Sequence, residues 1–288
     1  MNIKQAVPWW LKIVIKILLS RLPVAYRLWH RLGIFQHGRM APQEYALKVF
    51  ERHLTQAGMA DRVAGARVLE LGPGDSIATA LIVAAYGGEA VLVDVGAFAD
   101  ADPQIYRALA EYLEAQGLNP PDLSQAGSLD AILSVCGARY LTEGLKSLHE
   151  IEADSIDLIF SQAVLEHVRL AEFDPTLAEF RRILRPGGLC SHQVDLKDHL
   201  AASLNNLRFS KRLWESDFFA SSGFYTNRIR YGEMLKRFEA AGFAVEVCGE
   251  ERWDALPLAR TKLNQAFQQI PDQQLLISSF DVLLRSRG

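Results

Sequence analysis

Cysteine is scarce: Cys136, Cys190 and Cys248 are the whole complement of 288 residues, far apart and without a C-x-x-C pair. An odd, dispersed set makes no disulfide framework and points to a reducing compartment, with the thiols packed as small apolar groups. Long apolar runs are missing too. A bilayer-spanning helix needs roughly 20 mostly apolar residues. The candidate stretch, P-W-W-L-K-I-V-I-K-I-L-L-S-R-L-P from Pro8 to Pro23, is shorter and is interrupted by Lys12 and Lys16. Each would cost about 3 kcal/mol at the bilayer centre. A secretory leader wants an unbroken apolar centre and a small-residue cleavage site, and neither is evident. Acidic residues are absent before Glu44, whereas seven basic ones occur there: Lys4, Lys12, Lys16, Arg21, Arg27, Arg31 and Arg39. The rest of the chain carries ten more acidic than basic side chains, giving a formal net charge of −3. The amino-terminal arm is therefore a separate electrostatic object. An acidic body excludes a nucleic-acid groove binder. Two readings of the arm stay open: an interfacial helix that rests on a membrane through residues 8–32, with Trp9 and Trp10 at its start, or a helix that caps the core.

At 49% hydrophobic and 23% charged residues, the chain is globular with one ample core. Its organising stretch is R-V-L-E-L-G-P-G-D-S, Arg67 to Ser76. An apolar run breaks into Gly72-Pro73-Gly74, and helix-like apolar spacing resumes at Ile77. A buried strand, a glycine turn and a helix make the ligand cradle of parallel α/β folds. A third glycine is lacking, so the dinucleotide pattern G-x-G-x-x-G is not met. Twenty residues beyond Gly74, the run Val91-Leu92-Val93 ends in Asp94, a carboxylate placed to accept from ribose hydroxyls. A helix plus a loop is expected over Gly96 to Pro121, with Tyr106, Leu109, Tyr112 and Leu113 at helical spacing, and short strands are expected at Arg139–Thr142, Asp157–Phe160 and Leu189–Leu196.

The pattern E-x-G-x-G-x-S from Glu70 to Ser76 resembles the first motif of class I S-adenosylmethionine-dependent methyltransferases, with Ser76 where many members have glycine. Four later stretches extend the likeness: D-S-I-D-L-I-F-S-Q-A-V-L-E-H-V (Asp154 to Val168), F-R-R-I-L-R-P-G-G (Phe180 to Gly188), F-E-A-A-G-F (Phe238 to Phe243) and the terminal run from Leu275 to Leu284. The resemblance implies a Rossmann-like α/β sheet of seven strands, mostly parallel with the last antiparallel, flanked by helices and preceded by a helical arm. It implies S-adenosylmethionine as cofactor, cradled by Gly72, Pro73, Gly74 and Ser76, with Glu70 anchoring the glycine loop and Asp94 on ribose. Glu143 stands near the adenine, and Ser161 and Gln162 near the methionine end. It further implies a small-molecule or glycan acceptor.

An arm over residues 1–60 and a catalytic domain over 61–288 are expected, with 201–226 inserted as a substrate lid rich in aromatics and cations. His167, in the L-E-H stretch, and His199, in D-L-K-D-H, are candidate bases, and Asp195 is a candidate partner. Strand alternation sets His192 and Asp195 on opposite faces, so no metal site is expected. Two other readings remain: a nucleotide-dependent oxidoreductase or epimerase, and a catalytically silent adaptor. The expected location is cytoplasmic, peripheral on the inner membrane surface.

Overall fold

The structure is a computed structural model, described over residues 8–19 and 42–286. Lys4, Arg21, Arg27, Arg31 and Arg39 of the arm lie outside the described residues. In chain order the principal elements are α1 (Trp9–Leu19), α2 (Gln43–Ala57), β1 (Arg67–Leu71), α3 (Ala78–Ala85), β2 (Glu89–Val93), α4 (Pro103–Ala115) and α5 (Leu129–Val135). There follow β3 (Arg139–Leu141), α6 (Leu145–His149), β4 (Ile156–Gln162), α7 (Leu170–Ile183), β5 (Leu184–Asp195), α8 (Lys211–Trp214) and α9 (Asp217–Ala220). The chain finishes with α10 (Tyr231–Ala240), β6 (Phe243–Arg252), α11 (Asp272–Leu275) and β7 (Ile277–Ser286).

Local chemistry sets the helix ends. Asp102 caps α4 by accepting from Gln104 N, with Pro103 pre-set for the first turn. Ser128 caps α5 through Ala131 N, and Gly58, at φ 62°, closes α2 in the left-handed conformation.

The strands pair in the order β3-β2-β1-β4-β5-β7-β6, and β7 runs antiparallel to both its neighbours. This is the expected seven-stranded sheet. Two boundaries differ from the sequence pattern. β5 begins at Leu184, because Leu184 already pairs with Ile156, and the Arg185-Pro186-Gly187-Gly188 turn sits inside it as an irregularity. β7 begins at Ile277, since α11 takes Leu275.

Apolar side chains pack both faces. One layer joins Leu47, Phe50 and Leu54 of α2 to α3, α4 and Phe160. The other joins Phe173, Phe180 and Phe238 of α7 and α10 to Ile159 and Phe280. Helix α2 is thus built into the first core layer, whereas α1 packs elsewhere, on the 200–225 segment.

Buried imidazoles lie within both layers. His53 Nδ1 donates to Ser191 Oγ at 2.8 Å, and that hydroxyl donates on to Gln56 Oε1 at 3.0 Å. His192 Nδ1 meets Ser161 Oγ at 2.8 Å and stacks on Phe180. Burial pushes the pKa of both histidines down to about 3. A depressed histidine pKa contributes stability that is complete above the unfolded value of about 6.5 and is lost as pH falls. His192→Gln keeps a partner for Ser161 and removes one such proton. It should therefore flatten the acid limb of the stability curve by about 1.4 kcal/mol per pH unit between roughly pH 6 and 4. Urea unfolding across that range checks this; an unchanged slope means that His192 is not neutral in the fold.

Candidate cofactor and acceptor site

The sheet order reverses direction between β1 and β4, and open α/β sheets bind ligands outside the carboxyl ends of the strands at such a point. Here the strand ends are clasped by backbone bonds. Gly72 N donates to Val93 O (2.8 Å), Asp94 N to Leu141 O (2.9 Å), Gly144 N to Asp94 O (2.8 Å) and Ala163 N to Gln193 O (2.9 Å). Gly72 and Gly74 take φ of 73° and 67°, a region that favours glycine. A Cβ on Gly72 would stand 2.5 Å from Val164 Cγ2, so glycine there admits the β4 loop beside the β1 loop. Ala163, at φ 54°, is a non-glycine residue held in the same strained region, next to that contact.

Asp94 is the pivot of the cradle. Its Oδ2 accepts from Gly74 N at 2.9 Å and its Oδ1 from Val95 N at 2.7 Å. The carboxylate therefore ties the glycine loop to the end of β2, and each oxygen keeps a further lone pair for ligand hydroxyls. Burial raises its pKa, and the two N–H bonds oppose the rise. Glu70 lies beneath the loop, 2% exposed, with Oε2 unpartnered, and burial pushes its pKa up to about 8. Ser76 is buried, and its Oγ accepts from Ala78 N at the start of α3 (3.1 Å). Pro73 joins the two left-handed glycines. Glu143 is exposed, its N–H held by Ser147 Oγ at 2.9 Å, one residue before the Gly144 that clasps Asp94.

Ser161 and Gln162 point to opposite faces. Ser161 is fully buried, with its hydroxyl on His192. Gln162 faces α2: Arg52 donates to its Oε1, and its Nε2 donates to Gln193 Oε1 at 3.2 Å. Arg52 also stands 3.6 Å from Asp281, completing a polar chain at the mouth. Sequence reasoning missed Arg52, which sits among the polar positions of an amphipathic helix. It missed Val95 as well, 74% exposed beside Asp94, where the signal was an apolar residue directly after the acidic end of a strand.

The two candidate bases come together. His167 and His199 stack with ring centroids 4.7 Å apart and planes at 26°. His167 Nδ1 lies 3.0 Å from the carbonyl of Tyr225; a carbonyl only accepts, so Nδ1 carries the hydrogen and Nε2 is the basic nitrogen of the neutral ring. His199 is exposed at its surface, yet desolvation by the segment around it, then the charges of Lys16 and Lys197, lower its pKa to about 4. Asp195 faces Lys197 instead of a histidine: it accepts from Lys197 N at 2.9 Å, and its Oδ1 is 3.3 Å from Nζ. The carboxylate beside His199 is Asp198, which spends both oxygens on Leu200 N, Ala201 N and Asn205 N. It shapes the loop.

The inserted aromatics pack on one another. Trp214, Phe219, Phe224 and Tyr225 form a small core with Leu200 and Ile13 of α1, and Trp214 Nε1 donates to Thr226 O at 2.7 Å. Of these aromatics, Phe218 is the exposed one. Lys12 Nζ reaches Leu200 O (2.8 Å) and Lys16 Nζ reaches Gly223 O (3.2 Å), so α1 roofs the segment that holds the histidine pair. A groove of about 320 Å³ lined by Glu44, Glu51, Tyr86 and Tyr112 lies among helix ends away from the cradle and has no part in the site. Among the described residues no cluster suited to a metal occurs, and no helix is long and apolar enough to cross a membrane.

The sheet order, the glycine loop and the carboxylate at the end of β2 together define a class I S-adenosylmethionine-dependent methyltransferase. A model of the methyltransferase domain family matches residues 42–247, well over half of the chain, and the chain belongs to that family. The oxidoreductase, epimerase and silent-adaptor alternatives give way to methyl transfer. No curated protein matches the chain.

Solved structures resemble the chain at low identity. The CurJ carbon methyltransferase is 15% identical with a TM-score of 0.40, over 79% of this chain and 50% of its own. YcgJ of Bacillus subtilis is 18% identical with a TM-score of 0.44, over 83% and 99%. An S-adenosylmethionine-dependent methyltransferase of Methanosarcina mazei is 16% identical with a TM-score of 0.46, over 76% and 92%. The chain thus spans half the length of the first of these.

The cofactor is S-adenosylmethionine, and the cradle fits it. Asp94 retains acceptor capacity for ribose, the orphaned Glu70 Oε2 can take a donor, and Gly72-Pro73-Gly74 presents bare backbone.

Proposed function

We propose that the protein methylates a hydroxyl of a small-molecule or glycan acceptor, using His167 as the base and His199 as its stacked neighbour. The cofactor supplies an already electrophilic methyl on a sulfonium, so the chain's own work is to position, to exclude water and to receive a proton. The observation that carries this reading is the histidine pair itself, His167 and His199 stacked with centroids 4.7 Å apart and His167 Nδ1 bonded to the Tyr225 carbonyl. In that transfer His167 would receive the proton that the acceptor hydroxyl loses. His199, at about 4, stays neutral through the physiological range and adds no positive charge that would resist protonation of its neighbour. The polar chain Arg52, Gln162, Gln193 and Asp281 offers donors and acceptors for a hydroxyl-rich molecule at the same strand ends.

A release assay for S-adenosylhomocysteine over a panel of glycans, hydroxylated small molecules and amines tests the reading. Turnover is expected with a hydroxylated acceptor. Turnover confined to amines or to carbon acceptors would overturn it, as a base at His167 would then have no hydroxyl proton to take.

A further inference from the structure

Helix α1 is amphipathic in the inverted sense. At 100° per residue Trp10, Val14, Ile15 and Leu18 fall on one side, and these side chains are 55%, 48%, 40% and 63% exposed. No charged residue shares that side. The helix's two cations point the other way, Lys12 to the carbonyl of Leu200 and Lys16 to those of Gly223 and His199, beside Trp9 and Ile13, which pack on the insertion. A helix adapted to water turns its charges outward and its apolar stripe inward. Burial lowers the pKa of Lys16, so the inward placement has a cost that a solvated orientation would avoid. Scattered exposed apolar residues need no explanation; an uncharged stripe of four with a tryptophan does.

We infer that this stripe lies on a membrane surface containing anionic lipid, with Trp10, Val14, Ile15 and Leu18 entering the headgroup boundary. Charge selects this occupant. Residues 1–43 hold seven basic side chains and no carboxylate, while the remainder of the chain is acidic. Tryptophan favours the interfacial zone, and apolar burial and headgroup attraction together hold such a helix in plane. Because Lys16 also touches the carbonyl of His199, the docked helix is the roof of the histidine pair. An acceptor carried in the lipid layer would meet the site there, a consequence that rests on the proposed methyl transfer; the docking itself does not.

The test is co-sedimentation of the full chain with phosphatidylcholine vesicles, with and without phosphatidylglycerol, beside calorimetric binding of S-adenosylhomocysteine. Binding should require phosphatidylglycerol and weaken with salt. The triple variant Trp10→Ser, Val14→Ser, Leu18→Ser should lower partitioning on the order of 100-fold and leave binding of S-adenosylhomocysteine unchanged. Three results overturn the inference. The first is a wild-type chain that ignores anionic vesicles, or a triple variant that binds them equally. The second is a dimer, seen by light scattering, that the triple variant dissociates, which assigns the stripe to a second copy. The third is a fall in melting temperature and cofactor affinity without any vesicle dependence, which assigns it to the chain's own interior. Loss of methyl transfer with vesicle binding intact would count against the acceptor reading alone.

Discussion

His167→Ala is expected to lower turnover on the order of 100- to 10,000-fold while the dissociation constant for S-adenosylhomocysteine stays the same. The separation follows from where the ring stands. His167 bonds to the Tyr225 carbonyl and stacks on His199, both parts of the segment after β5, whereas the cofactor cradle is built from the ends of β1 and β2. The substitution leaves the Tyr225 carbonyl without its donor, which costs about 1–3 kcal/mol of stability. A melting curve must therefore accompany the kinetics, and activity be read well below the transition. His199→Ala should cost less, since that ring supports its neighbour and its own depressed pKa makes it a weak base. Equal losses in turnover and cofactor affinity for His167→Ala would make the residue structural and remove the proposed base.

The sheet was legible because its strands carry apolar runs that end in punctuation: Val68 to Leu71 before Gly72, Val91 to Val93 before Asp94, Leu158 to Phe160 before the L-E-H stretch. Period and turn chemistry suffice for such elements, and the glycine loop and Asp94 were legible for the same reason. Side-chain partnership was not. Ser161 and Gln162 are adjacent in sequence, yet alternation sends one to buried His192 and the other to Arg52 on α2. Arg52 itself reads as a solvated helix position, since nothing local says that its far end meets strands more than a hundred residues away. The aromatics of 201–226 suited either a ligand surface or a small core, and composition does not separate the two. They pack with Ile13 from the opposite end of the chain. The lysines of α1 mislead in the same way. Sequence periodicity finds an amphipathic helix, but only tertiary contact reveals which face is turned inward.

Asp94→Ala should weaken cofactor binding by 10- to 100-fold or more, and two separable effects produce the loss. The first is direct: hydrogen bonds from ribose hydroxyls to a charged acceptor are worth about 1.5–3 kcal/mol, which is that range in affinity. The second acts through the loop. Oδ2 holds Gly74 N and Oδ1 holds Val95 N, so alanine frees the glycine turn expected to receive the rest of the cofactor. Asp94→Asn separates them, because its amide oxygen can keep one backbone N–H while the charge is gone. An intermediate loss for asparagine therefore indicates that tether and charge both contribute. pH offers an independent check. Burial raises the Asp94 pKa above the ordinary carboxylate value, so protonation begins at a higher pH than for an exposed aspartate. Affinity for S-adenosylhomocysteine should accordingly fall as the solution is acidified toward that raised pKa, and the Asn variant should lose this dependence. The measurement is isothermal titration of the wild-type chain and both variants. A folded Asp94→Ala protein with an undiminished affinity would show that the end of β2 does not hold the ribose, and the cradle would have to be centred elsewhere along the strand ends.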